Sequence, residues 1–460
     1  MRKRVVKWIC LIGLILPMFG TSMTVLAEEE PTMMDLIQAA GYTVDEMHRP
    51  KSIVLIDANT GKYLWGENPD LAHNPASIMK LMTLYLVYEA MEQGKFSLDT
   101  TIVGNDRYQQ MSQIYALSNA PIITGVEYPV RELIPMLLVP SSNVATLMLA
   151  ELVEPNPVIF LEMMNAKAAE LGMNHTKIYN ATGAAIFAFD GLYLPEGIDG
   201  STLQTQADNE TTARDLAILV YHLLKLNPDV VQYTNQAQVT TMQGTPYEET
   251  FDSYNHSLPG LKHAYEGVDG LKTGSSQSGG FNIAMTGQRG EMRLITIVLG
   301  VGDWADQNGE YYRQPFANAA FEYGFTQFSY REILSPGEHT VQDEKIILEE
   351  SLFDTVRNEQ DLSMIVEGDQ IHLANGLSTI SDNIPQVTQT VTKVKTPEVV
   401  VQEVTEKVGS VLNLDFFGSK LGLGIALGIG ILVLLIILIV VSSIQNKRRR
   451  RIARQNRGRR

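Results

Sequence analysis

Pro75-Ala76-Ser77-Ile78-Met79-Lys80 places a lysine three residues after a serine. On a helix that offset puts both side chains on one face, roughly 5–6 Å apart between Cβ atoms, so a hydroxyl can hand its proton to an amine. Ser77 is the only serine of the chain followed by lysine at this spacing. Downstream stand Ser141-Ser142-Asn143 and then Lys272-Thr273-Gly274, the only K-T-G of the sequence. Chance supplies a lone S-x-x-K about once or twice in a chain of this length, so that motif alone is weak. Three motifs in this order describe a serine acyl-transfer site.

The surroundings of each motif fit that chemistry. Residues 77–91 are apolar on nearly all faces (Ile78, Met79, Leu81, Met82, Leu84, Tyr85, Leu86, Val87), which predicts a helix buried at the domain centre. A nucleophile in its first turn would feel the positive helix end. Residues 52–57 and 62–65 read as a hairpin around Ala58-Asn59-Thr60-Gly61. Helices are expected over 130–138 and 145–153, with Ser141-Ser142-Asn143 in the break after Pro140, and over 212–226, with Asp208 and Asn209 as cap candidates. Residues 281–287 and 292–301 form a strong antiparallel hairpin pattern through Arg289-Gly290, which puts K-T-G on or beside an edge strand.

Beyond Ser335-Pro336-Gly337 the pattern changes to short β-type runs at 345–348, 362–366, 370–373 and 387–394, separated by turns such as Glu367-Gly368-Asp369 and Ala374-Asn375-Gly376. This predicts a small all-β domain. A helical stripe at Val408, Val411, Leu412 and Phe416 then marks an amphipathic stretch, read equally as a solvated stalk helix or as one lying in the membrane interface. No internal repeat or long low-complexity segment interrupts the chain.

Both ends speak to location. Arg2, Lys3, Arg4 and Lys7 precede the apolar run 8–19, and Val25-Leu26-Ala27 leads into Glu28-Glu29-Glu30, the form of a secretory signal cleaved after Ala27. The apolar core is shorter than the roughly 20 residues a membrane anchor needs. The one cysteine, Cys10, lies in this leader, so the mature protein is expected to hold no thiol or disulfide. Residues 421–444 carry no charge over 24 positions, long enough for a transmembrane helix, and the lysine and arginines that follow, Lys447 to Arg460, predict a cytoplasmic tail. Next to a span, such a tail reads as topology and anionic-lipid contact rather than nucleic-acid binding.

With 4 of the 36 basic residues in the leader and 9 in the tail, 23 remain against 52 acidic ones, so the exterior body is near −29. Such a surface repels nucleic acid and other polyanions. An acidic, exported, tail-anchored protein whose body after the leader holds no cysteine fits a bacterial cell-surface enzyme. The 8 histidines, among them His175, His256 and His263, show no H-x-x-x-H pair, so no metal site is expected. Gly279-Gly280 and the glycines at 422–430 lack the P-loop form, and Met33-Met34 and Met163-Met164 read as packing.

Residues 51–330 resemble the low-molecular-mass penicillin-binding proteins that act as serine-type D-alanyl-D-alanine carboxypeptidases (peptidase S11 type), most clearly in Gly267-Val268-Asp269-Gly270-Leu271-Lys272-Thr273-Gly274. The resemblance extends over the β domain and the amphipathic stretch. It implies an α/β (α+β) penicillin-binding and β-lactamase-like transpeptidase domain, with an antiparallel sheet and a helical subdomain, then a small all-β domain, to which the charge-free run adds a C-terminal transmembrane helix. The expected organisation is leader 1–27, catalytic domain 28–334, β-sandwich-like domain 335–402, amphipathic segment 403–420, span 421–444 and basic tail 445–460. Two departures stand out: the family often ends at the amphipathic anchor, and Ser275-Ser276 replaces the His-Thr or Thr-Ser familiar after K-T-G.

The resemblance implies roles residue by residue. Ser77 attacks the carbonyl between two D-alanines and Lys80 takes its proton, which requires burial and the nearby charge of Lys272 to lower the lysine pKa. Ser141 relays a proton to the leaving D-alanine and Asn143 positions the substrate amide. Backbone N–H groups of Ser77 and Ser275 hold the oxyanion. Lys272 and Thr273 of the K-T-G, with Gly274 beside them, receive the substrate carboxylate, and Arg313, twelve residues before Phe325, is the next candidate; the competing reading of Arg313 is a surface salt bridge, and Arg293 reads as structural. The implied partners are peptidoglycan stem peptides ending in D-Ala-D-Ala, β-lactams and the cell membrane, with no cofactor. Three alternatives compete: a class A β-lactamase, which would need a glutamate near Tyr179-Asn180-Ala181 where none stands; a DD-endopeptidase with the same catalytic residues; and a catalytically silent peptidoglycan-binding scaffold.

Overall fold

The computed structural model describes residues 30–394 apart from Gln307, together with positions 431, 435, 438 and 442. The expected leader, amphipathic segment and basic tail lie outside the described residues. So does the expected span, save for Ile431, Leu435, Leu438 and Ser442, which are helical. Among the described residues no single helix is long and apolar enough to cross a membrane.

In chain order, α1 (Met33–Ala39) starts on a capping box in which Thr32 and Asp35 satisfy each other's backbone N–H groups. The hairpin β1 (Ser52–Asp57) and β2 (Tyr63–Glu67) follows, as its sequence predicts. A 3-10 turn at Ala76–Met79 leads into α2 (Lys80–Glu92). The short pair β3 (Thr101–Val103) and β4 (Glu127–Pro129) brackets α3 (Asp106–Ser112). Then come α4 (Val130–Leu138), α5 (Asn143–Val153), α6 (Pro157–Leu171) and α7 (Ala213–Leu226). A partly exposed hairpin, β5 (Gln238–Thr241) and β6 (Glu249–Asp252), precedes β7 (Val268–Ser276), β8 (Gly280–Arg289) and β9 (Met292–Val301). The helix α8 (Gly309–Gln327) closes this part.

Strands β2-β1-β9-β8-β7 form one antiparallel five-stranded sheet. Its inner strands read as apolar runs rather than alternations because both faces are covered. Val54, Ile56, Ile295, Ile297 and Leu299 point into the core shared with the α2, α4, α5 and α7 layer. Ile53, Leu55, Leu294 and Val298 point into a second core under α1 and α8. Helix α2 is apolar all round because it is enclosed, leaving little beyond Glu89, Met91 and Glu92 at the surface. The architecture is thus an α+β domain built on an antiparallel sheet, with β7 at the sheet edge.

Two local expectations are corrected. The cap of α7 is Thr212, whose hydroxyl accepts from Asp215 N, and not Asp208 or Asn209. Asn143 is the first residue of α5, with Ser142 as its cap, rather than part of a loop.

The C-terminal β unit holds β10 (Phe328–Leu334), β11 (Gly337–Val341), β12 (Glu344–Leu348), β13 (Leu352–Arg357), β14 (Met364–Glu367), β15 (Gln370–Leu373) and β16 (Gln389–Lys393). The order β11-β12-β16-β15-β14 makes a five-stranded sheet, and β10 pairs with β13. Residues 328–334, expected with the preceding domain, form β10, which pairs with β13 while Phe328 stays in the core under α1 and α8. Strand β13 escaped the sequence reading because Asp354 interrupts its apolar pattern, and that residue turns out to be buried.

Asp354 is buried because Lys62 meets it. Lys62 Nζ lies 2.6 Å from Asp354 Oδ2, and their side chains are 1% and 2% exposed. Beside them Thr355 Oγ1 donates to Asp57 Oδ2 at 2.7 Å, which also accepts from Thr60 Oγ1 at 2.6 Å and Thr60 N at 2.8 Å. Tyr63 N donates to Ser378 O and Ile380 N to Gly61 O, so residues 378–380 cover the β2 edge. Removing one partner of a buried ion pair costs about 3–5 kcal/mol, whereas replacing both by apolar groups is often neutral. Denaturant unfolding of Asp354→Ala should show a loss of that size, and Lys62→Met/Asp354→Leu should recover most of it; equal losses would contradict a buried pair.

Candidate active site

Ser77 sits on the 3-10 turn, not in the first turn of α2 as the sequence suggested, and Lys80 opens the helix. Lys80 Nζ lies 2.9 Å from Ser77 Oγ, 2.9 Å from Asn143 Oδ1 and 2.7 Å from Thr182 O. The lysine is fully buried, and burial, followed by the charge of Lys272, holds its pKa well below 10.5. A neutral amine has two N–H donors and one lone pair. In that neutral form the two carbonyl oxygens accept the two N–H groups of Lys80, and its lone pair is left facing the Ser77 hydroxyl.

Thr182 O is held by its own segment. Asn180 Oδ1 accepts from Thr182 N at 3.2 Å and Gly183 N at 2.6 Å. Asn209, expected to cap α7, instead accepts from Tyr179 N and Asn180 N and donates to Asn180 O. Gly183 adopts φ +89°, and a Cβ there would lie 2.0 Å from Ala76 O and 2.8 Å from Ser77 N. Only glycine lets this segment press against the nucleophile turn.

The second motif closes the other side. Asn143 accepts from Lys80 and donates through Nδ2 to Ser118 O at 2.9 Å, which fixes its amide orientation. Ser141 is buried, at φ +62°, and its Oγ makes no hydrogen bond among the described residues.

The third motif lies on the edge strand β7, where Lys272, Thr273, Gly274 and Ser275 face Ala284, Ile283, Asn282 and Phe281 of β8. A Cβ on Gly274 would sit 2.4 Å from Pro75 O and 3.0 Å from Ile78 N, so this strand touches the nucleophile turn. Lys272 is buried and, by burial and then the charge of Arg313, pushed down to about 7. Arg313 reaches in from α8: Nη1 donates to Ser275 Oγ at 3.0 Å and Asn282 O at 3.3 Å, and Nη2 to Tyr254 O at 3.3 Å. It is 1% exposed, so the surface salt bridge considered from the sequence is corrected. Burial pushes it down to about 10. Arg293, read as structural, pairs with Asp269 at 2.8 Å.

Elsewhere the buried cations are paired, Lys62 with Asp354 and the largely buried Arg107 with Glu151. Lys80, Lys272 and Arg313 form no ion pair with a carboxylate among the described residues; Glu310, one turn before Arg313, lies 3.3 Å from His256 instead. An unpaired buried cation is costly, and an incoming anion offsets that cost. The arrangement can generate an alkoxide on Ser77 and receive a carboxylate near Ser275.

A family model described as D-alanyl-D-alanine carboxypeptidase, peptidase S11, matches residues 39–303. The chain belongs to this family. A second model, described as a domain of unknown function, matches residues 330–392. D-alanyl-D-alanine carboxypeptidase DacF of Bacillus subtilis is 28% identical over 270 residues, 58% of this chain and 61% of that protein. DacA of Escherichia coli is 28% identical over 252 residues, 54% of this chain and 56% of its own length. The matches thus span about three fifths of these relatives. The crystal structure of a peptidoglycan synthesis regulatory factor (PBP3) from Streptococcus pneumoniae aligns at a TM-score of 0.63 and 26% identity, over 75% of this chain and 99% of that one.

In this S11 chain the three motifs meet as their order implied, and Arg313 joins them. The sequence reading missed Thr182, Asn180 and Ser118, which act through backbone carbonyls or local turns, and Asn282, an isolated polar residue in an apolar strand. That isolation was the one signal available. Gly183→Ala should leave the fold intact but slow penicillin acylation of Ser77 by about a hundredfold, because a shift of about 1 Å at a reacting group costs that much; acylation at the wild-type rate would exclude the tight contact.

Proposed function

We propose that the protein is a serine DD-carboxypeptidase that removes the terminal D-alanine from peptidoglycan stem pentapeptides through an acyl-enzyme on Ser77, which β-lactams also acylate. The observation that carries this reading is the pairing of a buried Lys80 2.9 Å from Ser77, its pKa held down by burial and then by Lys272, with Lys272 and Arg313, which have no carboxylate partner among the described residues, and with Arg313 bonded to Ser275. Ser77 Oγ bonds to the penultimate D-alanine carbonyl carbon as Lys80 takes the hydroxyl proton. The oxyanion is held by the N–H groups of Ser77 and Ser275, each donor worth about 2.7–4 kcal/mol. The C–N bond breaks as Ser141 passes a proton to the leaving amine. Asn143 orients the substrate amide, and Lys272, Thr273 and Arg313 hold the terminal carboxylate. Water then cleaves the ester, releasing the tetrapeptide and returning the proton to Ser77. Segment 179–183 supplies no carboxylate to activate that water, so Lys80 is the base at hand.

The same proposal includes location: an exported body with cleavage after Ala27, a single span at 421–444 and a cytoplasmic tail, supported by the charge-free run and its basic flank. External protease should then remove the body from intact cells and spare the tail.

Incubating the purified chain with a peptide ending in D-Ala-D-Ala should release one D-alanine per peptide, and penicillin should add one penicilloyl group at Ser77. Ser77→Ala should abolish both while retaining the fold. Cleavage of cross-linked dimers without D-alanine release would favour the endopeptidase, rapid penicillin turnover without an adduct the lactamase, and no reaction the scaffold.

The pKa directions set the pH profile. Lys80 must be neutral, so acylation falls as pH drops through its depressed pKa. Lys272, at about 7, loses its charge above that pH, so carboxylate-ended substrates should bind more weakly on the alkaline side. An amide-capped analogue should lack the alkaline loss, and Lys272→Ala should weaken carboxylate-ended substrates far more than capped ones. Equal losses on both would remove Lys272 from carboxylate binding.

A further inference from the structure

Asn282 is fully buried in β8, opposite Gly274 of the K-T-G, at the point where the ladder from β8 to β9 is irregular. Its side chain fills that break. Oδ1 accepts from Gly300 N at 2.7 Å, and Nδ2 donates to Asn74 O at 3.1 Å, while the main-chain oxygen accepts from Arg313 Nη1 at 3.3 Å. All three functional groups of one residue are committed, to β9, to the strap before the nucleophile, and to α8.

The strap itself needs holding. Ala76, directly before Ser77, lies at φ +48°, a left-handed conformation that strains a non-glycine residue. Asn74 Oδ1 accepts Ala76 N at 2.8 Å, and Asn74 Nδ2 donates to Ser278 Oγ at 2.8 Å and Ser276 Oγ at 3.3 Å. His73 Nε2 and Gly279 O are 2.7 Å apart, so the strap is laced to the turn between β7 and β8. Ser77 sits at one end of this lacing, and Ser275 on the strand that leads into the turn.

We propose that Asn282 is a positioning residue which, through Asn74, sets the separation of the Ser77 and Ser275 backbone N–H groups and so aligns the oxyanion site. A loose strap would let Ala76 relax and turn the Ser77 N–H away, while Lys80, held by Asn143 and Thr182, would stay in place. The inference rests on the acyl-transfer reading of Ser77, but not on D-alanine being the leaving group.

The test uses the full-length chain in detergent, with Asn282→Ala and Asn74→Ala beside wild type. The readouts are fluorescent-penicillin acylation rate per labelled site, affinity for a D-alanine-derived peptidyl boronic acid, and KM for a D-Ala-D-Ala peptide. A boronate adduct on Ser77 is tetrahedral and places an oxygen where the oxyanion forms. The expected result is a parallel loss of about tenfold to a hundredfold in acylation rate and boronate affinity, with KM within about threefold and an unshifted acid limb of the pH profile. A merely structural role would lower the number of labelled sites but leave the rate per site and the boronate affinity unchanged, and that result overturns the inference. If Asn282→Ala does not fold, the half-exposed Asn74 carries the test, and wild-type rates in Asn74→Ala overturn the inference equally. Wild-type labelling without D-alanine release would reject the carboxypeptidase reading alone; absence of labelling at Ser77 would reject both.

Discussion

The site depends on one buried amine. Lys80 is enclosed on the first turn of α2 with two carbonyl oxygens and one hydroxyl around it and no carboxylate among the described residues to hold its proton. Desolvation therefore penalises the ammonium form, and the neighbouring charge of Lys272 adds to that. Everything else in the site serves to keep this environment closed. Helix α5 delivers Asn143, the 180–183 segment delivers Thr182 O, and α2, apolar all round, is enclosed by the surrounding layer.

Charge distribution acts at a longer range. The chain is acidic, yet three of its buried cations gather where β7, α2 and α8 converge. Outside that point buried cations have carboxylate partners. The contrast separates two uses of burial. At Lys62 and Asp354 it joins the β unit to the β1–β2 turn, and the charges cancel. Around Ser275 the charges are left uncancelled, which costs stability and makes the cleft attractive to a terminal carboxylate.

The edge position of β7 ties these features together. An edge strand keeps one side of its backbone unpaired, so it can meet an extended peptide, and the close contacts of Gly274 with Pro75 and Ile78 place that edge against the nucleophile turn. Asn282 stands behind the edge, joined to the strap, to β9 and to Arg313. The double-faced sheet thus carries the precision, while the largely buried 3-10 turn presents the partly exposed hydroxyl of Ser77.

What the sequence by itself determined is what depends on near neighbours along the chain. The Ser77 to Lys80 offset, the hairpins at 52–65 and 281–301, the encased helix after Ser77 and the switch to short strands beyond Gly337 all follow from spacing and periodicity over a few residues. Local propensity failed first at element ends, where Thr212 won the cap of α7 and Asn143 was drawn into α5. Tertiary structure decided what joins distant segments. Asn143 and Thr182 reach Lys80 across 63 and 102 residues, and Arg313 reaches Ser275 across 38. Asp354 reads as a strand breaker until Lys62, 292 residues away, is seen to neutralise it. Such partners have no periodic signature, because burial and charge compensation are properties of the packed interior and not of any one window of sequence.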